Sequence, residues 1–224
     1  MEQLPNYIGI VFILTAILTI LLFYKAANNS KPVIIVILSW LTLQSVISLS
    51  GFYTITTATP PRFPLLVMPP MLLIVLLFFT KRGKQFIDGL DIKILTLLHV
   101  IRVPVEITLF WLFSHKAVPV EMTFEGRNFD ILCGITAPFV YYFGYVKGVL
   151  NKTTIIAWNI ACVLLLANTV VTAVLSAPSP FQRFGFDQPN IALFHFPFVW
   201  LPSCLVPIVF LANLAAIRKL IVKK

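Results

Sequence analysis

Residues 91–113 read DIKILTLLHVIRVPVEITLFWLF. The run is long and apolar enough to cross the ~30 Å hydrocarbon core of a bilayer as one helix, yet His99, Arg102 and Glu106 sit in its middle. A charge at the centre of a membrane helix costs roughly 2.5–3.5 kcal/mol on insertion scales, so the face that carries these residues cannot point at lipid. Spacings of three and four place the three side chains within about 60° of arc on one helical face. On sequence alone, Arg102 and Glu106 pair across one turn, and Pro104 between them loosens the backbone.

Outward from this stretch the same apolar signature recurs. Runs extend from Pro5 to Tyr24, Pro32 to Thr57, Phe63 to Thr80, Phe129 to Val149, Thr153 to Ser176 and Asn190 to Ile217. With residues 91–113 they make seven predicted spans in an all-α polytopic membrane protein, a single bundle over residues 1–224. The third is the weakest, because Pro69 and Pro70 interrupt it and its start near Arg62 to Pro64 is indistinct. Composition agrees: 59% of the chain is hydrophobic and 11% is charged, where a soluble domain is about a quarter charged.

Basic residues set the expected orientation. The connections after spans one, three and five and the C-terminal tail hold twelve Lys and Arg: Lys25, Lys31, Lys81, Arg82, Lys84, Lys93, Lys147, Lys152, Arg218, Lys219, Lys223 and Lys224. The opposite side holds four, Arg62, Lys116, Arg127 and Arg183. The positive-inside rule then predicts an outer N-terminus and a cytoplasmic C-terminus, and seven spans keep the alternation where six break it. The compact loops fit a plasma membrane, specifically a bacterial inner membrane. No basic run precedes the first span, which begins after Glu2, so that span is read as a retained helix rather than a cleaved signal.

The net charge of +9 is spread over short loops with no nucleic-acid module around them, so membrane lipids are the expected partner and nucleic acid is not. Cys133, Cys162 and Cys204 are odd in number and lack CxxC spacing, and read as small core residues. Inverted repeats, a Lys in the seventh span, GxSxG and HExxH are all missing, and no cofactor is expected. Ala157, Ala161 and Gly134 permit close helix packing.

Candidate ligand-binding residues gather around the charged span. MTFEGRNFD, residues 122–130, supplies Glu125, Arg127 and Asp130, with Asn128 or Asp130 placed to cap the fifth span. Folded back over the outer mouth, this loop closes a polar pocket with His99, Arg102 and Glu106. His195 adds a polar group near the outer end of the seventh span, where Phe181, Phe184, Phe186, Phe194, Phe196 and Phe198 crowd together. The expectation is an outward-opening polar pocket between spans four, five and seven that takes an amphipathic or anionic small molecule, with Arg102 as anchor and the phenylalanines as apolar wall. The rival is a metal-dependent membrane enzyme using Glu106, Glu125 or His195. A scaffold or assembly subunit without a small-molecule site is the third reading.

Overall fold

A computed structural model describes residues 4–56 and 61–222; Glu2, Thr57, Lys223 and Lys224 of the sequence reading lie outside them. The chain is 74% helical, with no strand among the described residues. Helices α1 (Asn6–Ala26), α2 (Lys31–Leu49), α5 (Ile92–Ser114), α7 (Lys152–Leu175) and α8 (Leu201–Val222) are each long and apolar enough to cross a membrane. A sixth candidate is the pair α3 (Pro64–Phe79) and α4 (Lys81–Gly89), bent by 96° at Thr80. Helix α6 (Ile131–Val146) is apolar but shorter. At 1.5 Å per residue, the 16 residues of α3 reach about 24 Å. These helices point to a multi-pass membrane protein.

Burial separates the middle of the bundle from its rim. More than half of α5 is enclosed by the protein (56%), against 17% of α2. Ile35, Val36, Leu43, Val46 and Leu49 on α2, and Leu65, Leu72, Val75, Leu76 and Phe79 on α3, are exposed. Such a continuous apolar exterior suits hydrocarbon rather than water. Helix α8 packs on α2, α3, α4, α5 and α7, and α1 packs along α5.

The ends of the helices sort into two faces. At one, Asp91 donates its N–H to the Ala26 carbonyl (2.8 Å), Asn28 bonds the Gly89 carbonyl (2.9 Å), Arg218 pairs with Asp88 (2.9 Å) and Lys219 reaches the Leu90 carbonyl. At the other, the Ala117 carbonyl accepts from Ile191 and Ala192, Gln188 bonds the Phe113 and Val118 carbonyls, and Ser48 bonds the Phe194 carbonyl.

Prolines explain the irregular turns. Pro104 has no N–H for the Val100 carbonyl, and the turn before it, His99–Ile101, tightens to a 3-10 geometry. Pro207 likewise leaves the Ser203 carbonyl without its helical donor, and Trp40 Nε1 of α2 supplies one at 2.8 Å; the neighbouring turn, Leu201–Leu205, is a π-helix. The seventh span expected from Asn190 starts at Leu201, because Pro197 disfavours helical backbone at Phe196 and residues 190–200 form a short 3-10 turn and an irregular chain instead. The second span stops at Leu49, where Gly51 adopts φ +75°. Residues 85–87 lie on α4, whose Gly83 meets the Leu77 backbone so closely that a Cβ would fall 2.3 Å from its carbonyl oxygen.

Candidate functional site

The charged face of α5 looks inward onto α6, α7 and the 122–130 loop. Arg102 is 2% exposed and its guanidinium Nη1 pairs with Asp130 at the start of α6, while also lying 3.4 Å from the Cys162 carbonyl of α7. The expected Arg102–Glu106 pair is not what forms. Glu106, 1% exposed, accepts from Asn128 Nδ2 on both carboxylate oxygens, at 2.8 and 2.7 Å. The reason is steric and electrostatic together. Gly134 lets α6 approach so closely that a Cβ there would sit 2.8 Å from Val103 Cγ2 and 3.2 Å from Arg102 Cβ, and that approach carries Asp130 to the guanidinium. A buried guanidinium is costly unless it is paired and hydrogen-bonded, and Asp130 meets that need.

Asn128 ties the loop to the bundle. Its Nδ2 also meets the Met122 carbonyl at 3.1 Å, and its Oδ1 accepts from the Asp130 N–H at 3.1 Å and from Thr169 Oγ1 of α7 at 2.6 Å. Asn168 of α7 bonds the Arg127 carbonyl at 2.7 Å. The loop therefore folds back into the bundle, but through Asn128 and Asp130 alone. Glu125 and Arg127 are exposed, with the Arg127 guanidinium 5.0 Å from the Phe184 ring. Asp130 stands at the N-cap position of α6 without a side-chain cap bond, because its carboxylate is committed to Arg102.

His99 lies one turn below Arg102, 1% exposed, with its ring edge-on to Trp158 of α7 at 5.4 Å. Among the described residues neither ring nitrogen has a hydrogen-bond partner, nor do Arg102 Nε and Nη2 or Asn159 Oδ1. His99–Trp158 and Arg102–Cys162 fix the register of α5 against α7, so Asn159 belongs to the same level of the interior. Two nitrogens of a buried guanidinium and both nitrogens of a buried imidazole thus make no hydrogen bond within the described protein.

His195 does not join this group. It lines a separate cavity of ≈490 Å³ with Asn6 and Gly9 of α1, Ser48 of α2, Thr54 and Phe198. Burial holds its imidazole below the ordinary range. The phenylalanines also scatter: Phe194 and Phe198 are buried, whereas Phe181 and Phe186 are exposed, so no single apolar wall stands against Arg102. Glu106, Glu125 and His195, the ligand set of the metal-enzyme rival, occupy three different environments. Among the described residues, no three His, Cys, Asp or Glu side chains come together as a metal site. Gly134 serves close packing, while Ala157 and Ala161 face outward from α7; Cys133, Cys162 and Cys204 are buried and unbridged.

Sequence reasoning missed Asn159 and Thr169, and gave Asn128 only a capping role. A signal was present, since Asn159, Cys162, Leu166 and Thr169 repeat at three, four and three on α7 and mark one inward stripe. No protein family, curated protein or solved structure matches this chain.

Proposed function

We propose that the protein binds an amphipathic small molecule, for sensing or transport, with Nε and Nη2 of Arg102 and the His99 imidazole receiving its polar head. The observation that carries this reading is the pair of unpartnered edges, Arg102 Nε/Nη2 and His99 Nδ1/Nε2, in an interior where a polar group left unmatched costs about 1–3 kcal/mol. Charge chooses the head. Asp130 already balances Arg102, so a neutral oxygen acceptor such as a carbonyl or hydroxyl is accommodated more cheaply than a second anion. A quinone-like or fatty-alcohol head fits better than a free acid.

The setting is a seven-span bundle in a plasma membrane, of the bacterial inner-membrane type, with the N-terminus outside. What supports seven is the grouping of helix ends: the connections near Lys25, Lys81 to Lys93 and Arg218 share one face, and the loops at 50–56, 115–130 and 177–195 share the other. End-to-end passage of α3 and α6 would account for that alternation. The 122–130 loop then covers the outer end of the pocket.

The test is extraction of small molecules from detergent-purified protein, followed by mass spectrometry. Wild type is expected to release an amphiphile with an uncharged oxygen-bearing head, and the charge-balanced double variant Arg102→Met, Asp130→Ala to release at least tenfold less. Equal release from both, or none from wild type, overturns the proposal.

A further inference from the structure

A second cavity of ≈490 Å³ lies on the other side of the bundle, at its basic end, enclosed by α1, α2, α3, α4 and α8. That is a volume typical of a single-ligand site. Its walls are apolar almost throughout, with Phe23, Ile37, Leu73, Leu77 and Phe86 prominent, and its deep end is the Trp40–Ser203 contact. From Pro32 to Trp40 along α2 it descends about 12 Å into the bundle. Helices α2 and α3 each pack on α8 rather than on one another. Val36 and Leu73 therefore line the cavity while staying 56% and 48% exposed, which makes them the rims of a sideways opening toward the surrounding hydrocarbon.

The upper rim is cationic. Lys31 begins α2 immediately before Pro32 of the lining, and Arg82 sits four residues before Phe86 on the same face of α4. Both are exposed, and neither has an ion-pair partner among the described residues. Helix α4 turns 96° away from α3, so its charged side lies across the mouth rather than along the shaft. An apolar trough that opens sideways under two unpaired cations matches one class of molecule, with a hydrocarbon tail and a phosphate head.

We propose that this cavity holds one acyl chain of an anionic phospholipid from the leaflet at the basic end, with Lys31 and Arg82 beside its headgroup, whose net negative charge no ammonium of its own offsets. The lipid splints α3 and α4 to α2 where the protein itself makes little contact. The site is independent of the Arg102 pocket: it lies on the opposite side of α8, and its occupant is read out as a phospholipid rather than as an amphiphile with a neutral head.

The experiment reconstitutes the full chain in nanodiscs of equimolar anionic and zwitterionic phospholipid, then extracts it into mild detergent for native mass spectrometry. Wild type is expected to retain one phospholipid per chain, with an anionic excess of about fivefold for each basic residue that stands beside the headgroup. Filling the cavity with Ile37→Trp should abolish retention without lowering the melting temperature in detergent, and Leu73→Trp provides the same reading should the first variant fail to fold. Charge reversal at Lys31→Glu with Arg82→Glu should keep a phospholipid and erase the anionic excess. Wild type without a retained phospholipid, filled variants that keep it, or an excess that survives charge reversal each overturns the proposal.

Discussion

Arg102 has two carboxylates within reach of sequence reasoning, and a pair of double-mutant cycles decides which one it serves. Arg102 and Asp130 are 2% and 6% exposed at the side chain, so neither charge is screened by water. Removing one partner of such a pair leaves the other buried and uncompensated, at about 3–5 kcal/mol. Arg102→Met and Asp130→Ala are each expected to cost that much, and the double variant to cost less than their sum by about 2 kcal/mol or more, because the second change relieves what the first left behind. The matching cycle with Glu106→Gln should show coupling below about 0.5 kcal/mol, since Glu106 spends both oxygens on the Asn128 amide and not on the guanidinium. Reversible unfolding in mixed micelles, or steric trapping in bicelles, measures all of these states. A larger coupling for Arg102 with Glu106 than with Asp130 would refute the assignment and restore the one-turn pair read from sequence.

Asn128→Leu removes the donor to Glu106, the donor to the Met122 carbonyl and the acceptor for Thr169 and the Asp130 amide at one stroke. A loss of at least about 2 kcal/mol is expected in the same unfolding assay, together with faster protease cleavage between residues 122 and 130; unchanged cleavage would show that the loop is held by something else. For His195, burial depresses the folded-state pKa, so the neutral ring is the form the fold prefers. Stability is then complete above the unfolded value of about 6.5 and falls as pH drops below it. Melting temperature scanned from about pH 8 to about pH 5 should decline more steeply for wild type than for His195→Gln, and parallel curves would count against the burial argument.

The helices were legible because membrane crossing imposes a length and a composition that can be read directly, and α1, α5 and α7 start and stop within a few residues of their apolar runs. Their ends were harder where proline and backbone geometry act. Nothing in an apolar count marks Leu201, rather than Asn190, as the start of α8, because the interruption comes from Pro197 and from loop contacts to Ala117 that exist only in three dimensions. The site shows the same division. His99, Arg102, Glu106 and Asp130 were visible as charges that hydrocarbon cannot tolerate. Which carboxylate met the arginine was not visible, since it depends on the closeness that Gly134 allows between α5 and α6. Glu125 and Arg127 were read as part of the pocket because their neighbours in sequence are, although alternate residues of a tight loop point opposite ways. His195 was placed near the outer end of the seventh span, but it lines a separate cavity with α1 and α2, and position along a membrane normal carries no information about azimuth.

The last helix fastens the first ones. Arg218 and Lys219 close onto Asp88 and Leu90, and Trp40 of α2 waits for the Ser203 carbonyl that Pro207 leaves open. Helices leave the ribosome in order, so α2 and the α4–α5 corner are made with faces whose partners do not yet exist. Helix α8 therefore closes contacts that the earlier helices leave open: until it is in place the Trp40 indole lacks the Ser203 carbonyl and the α4–α5 corner lacks Arg218 and Lys219, and with it the bundle is closed. Quality control in the membrane has a defined moment at which to distinguish the two states.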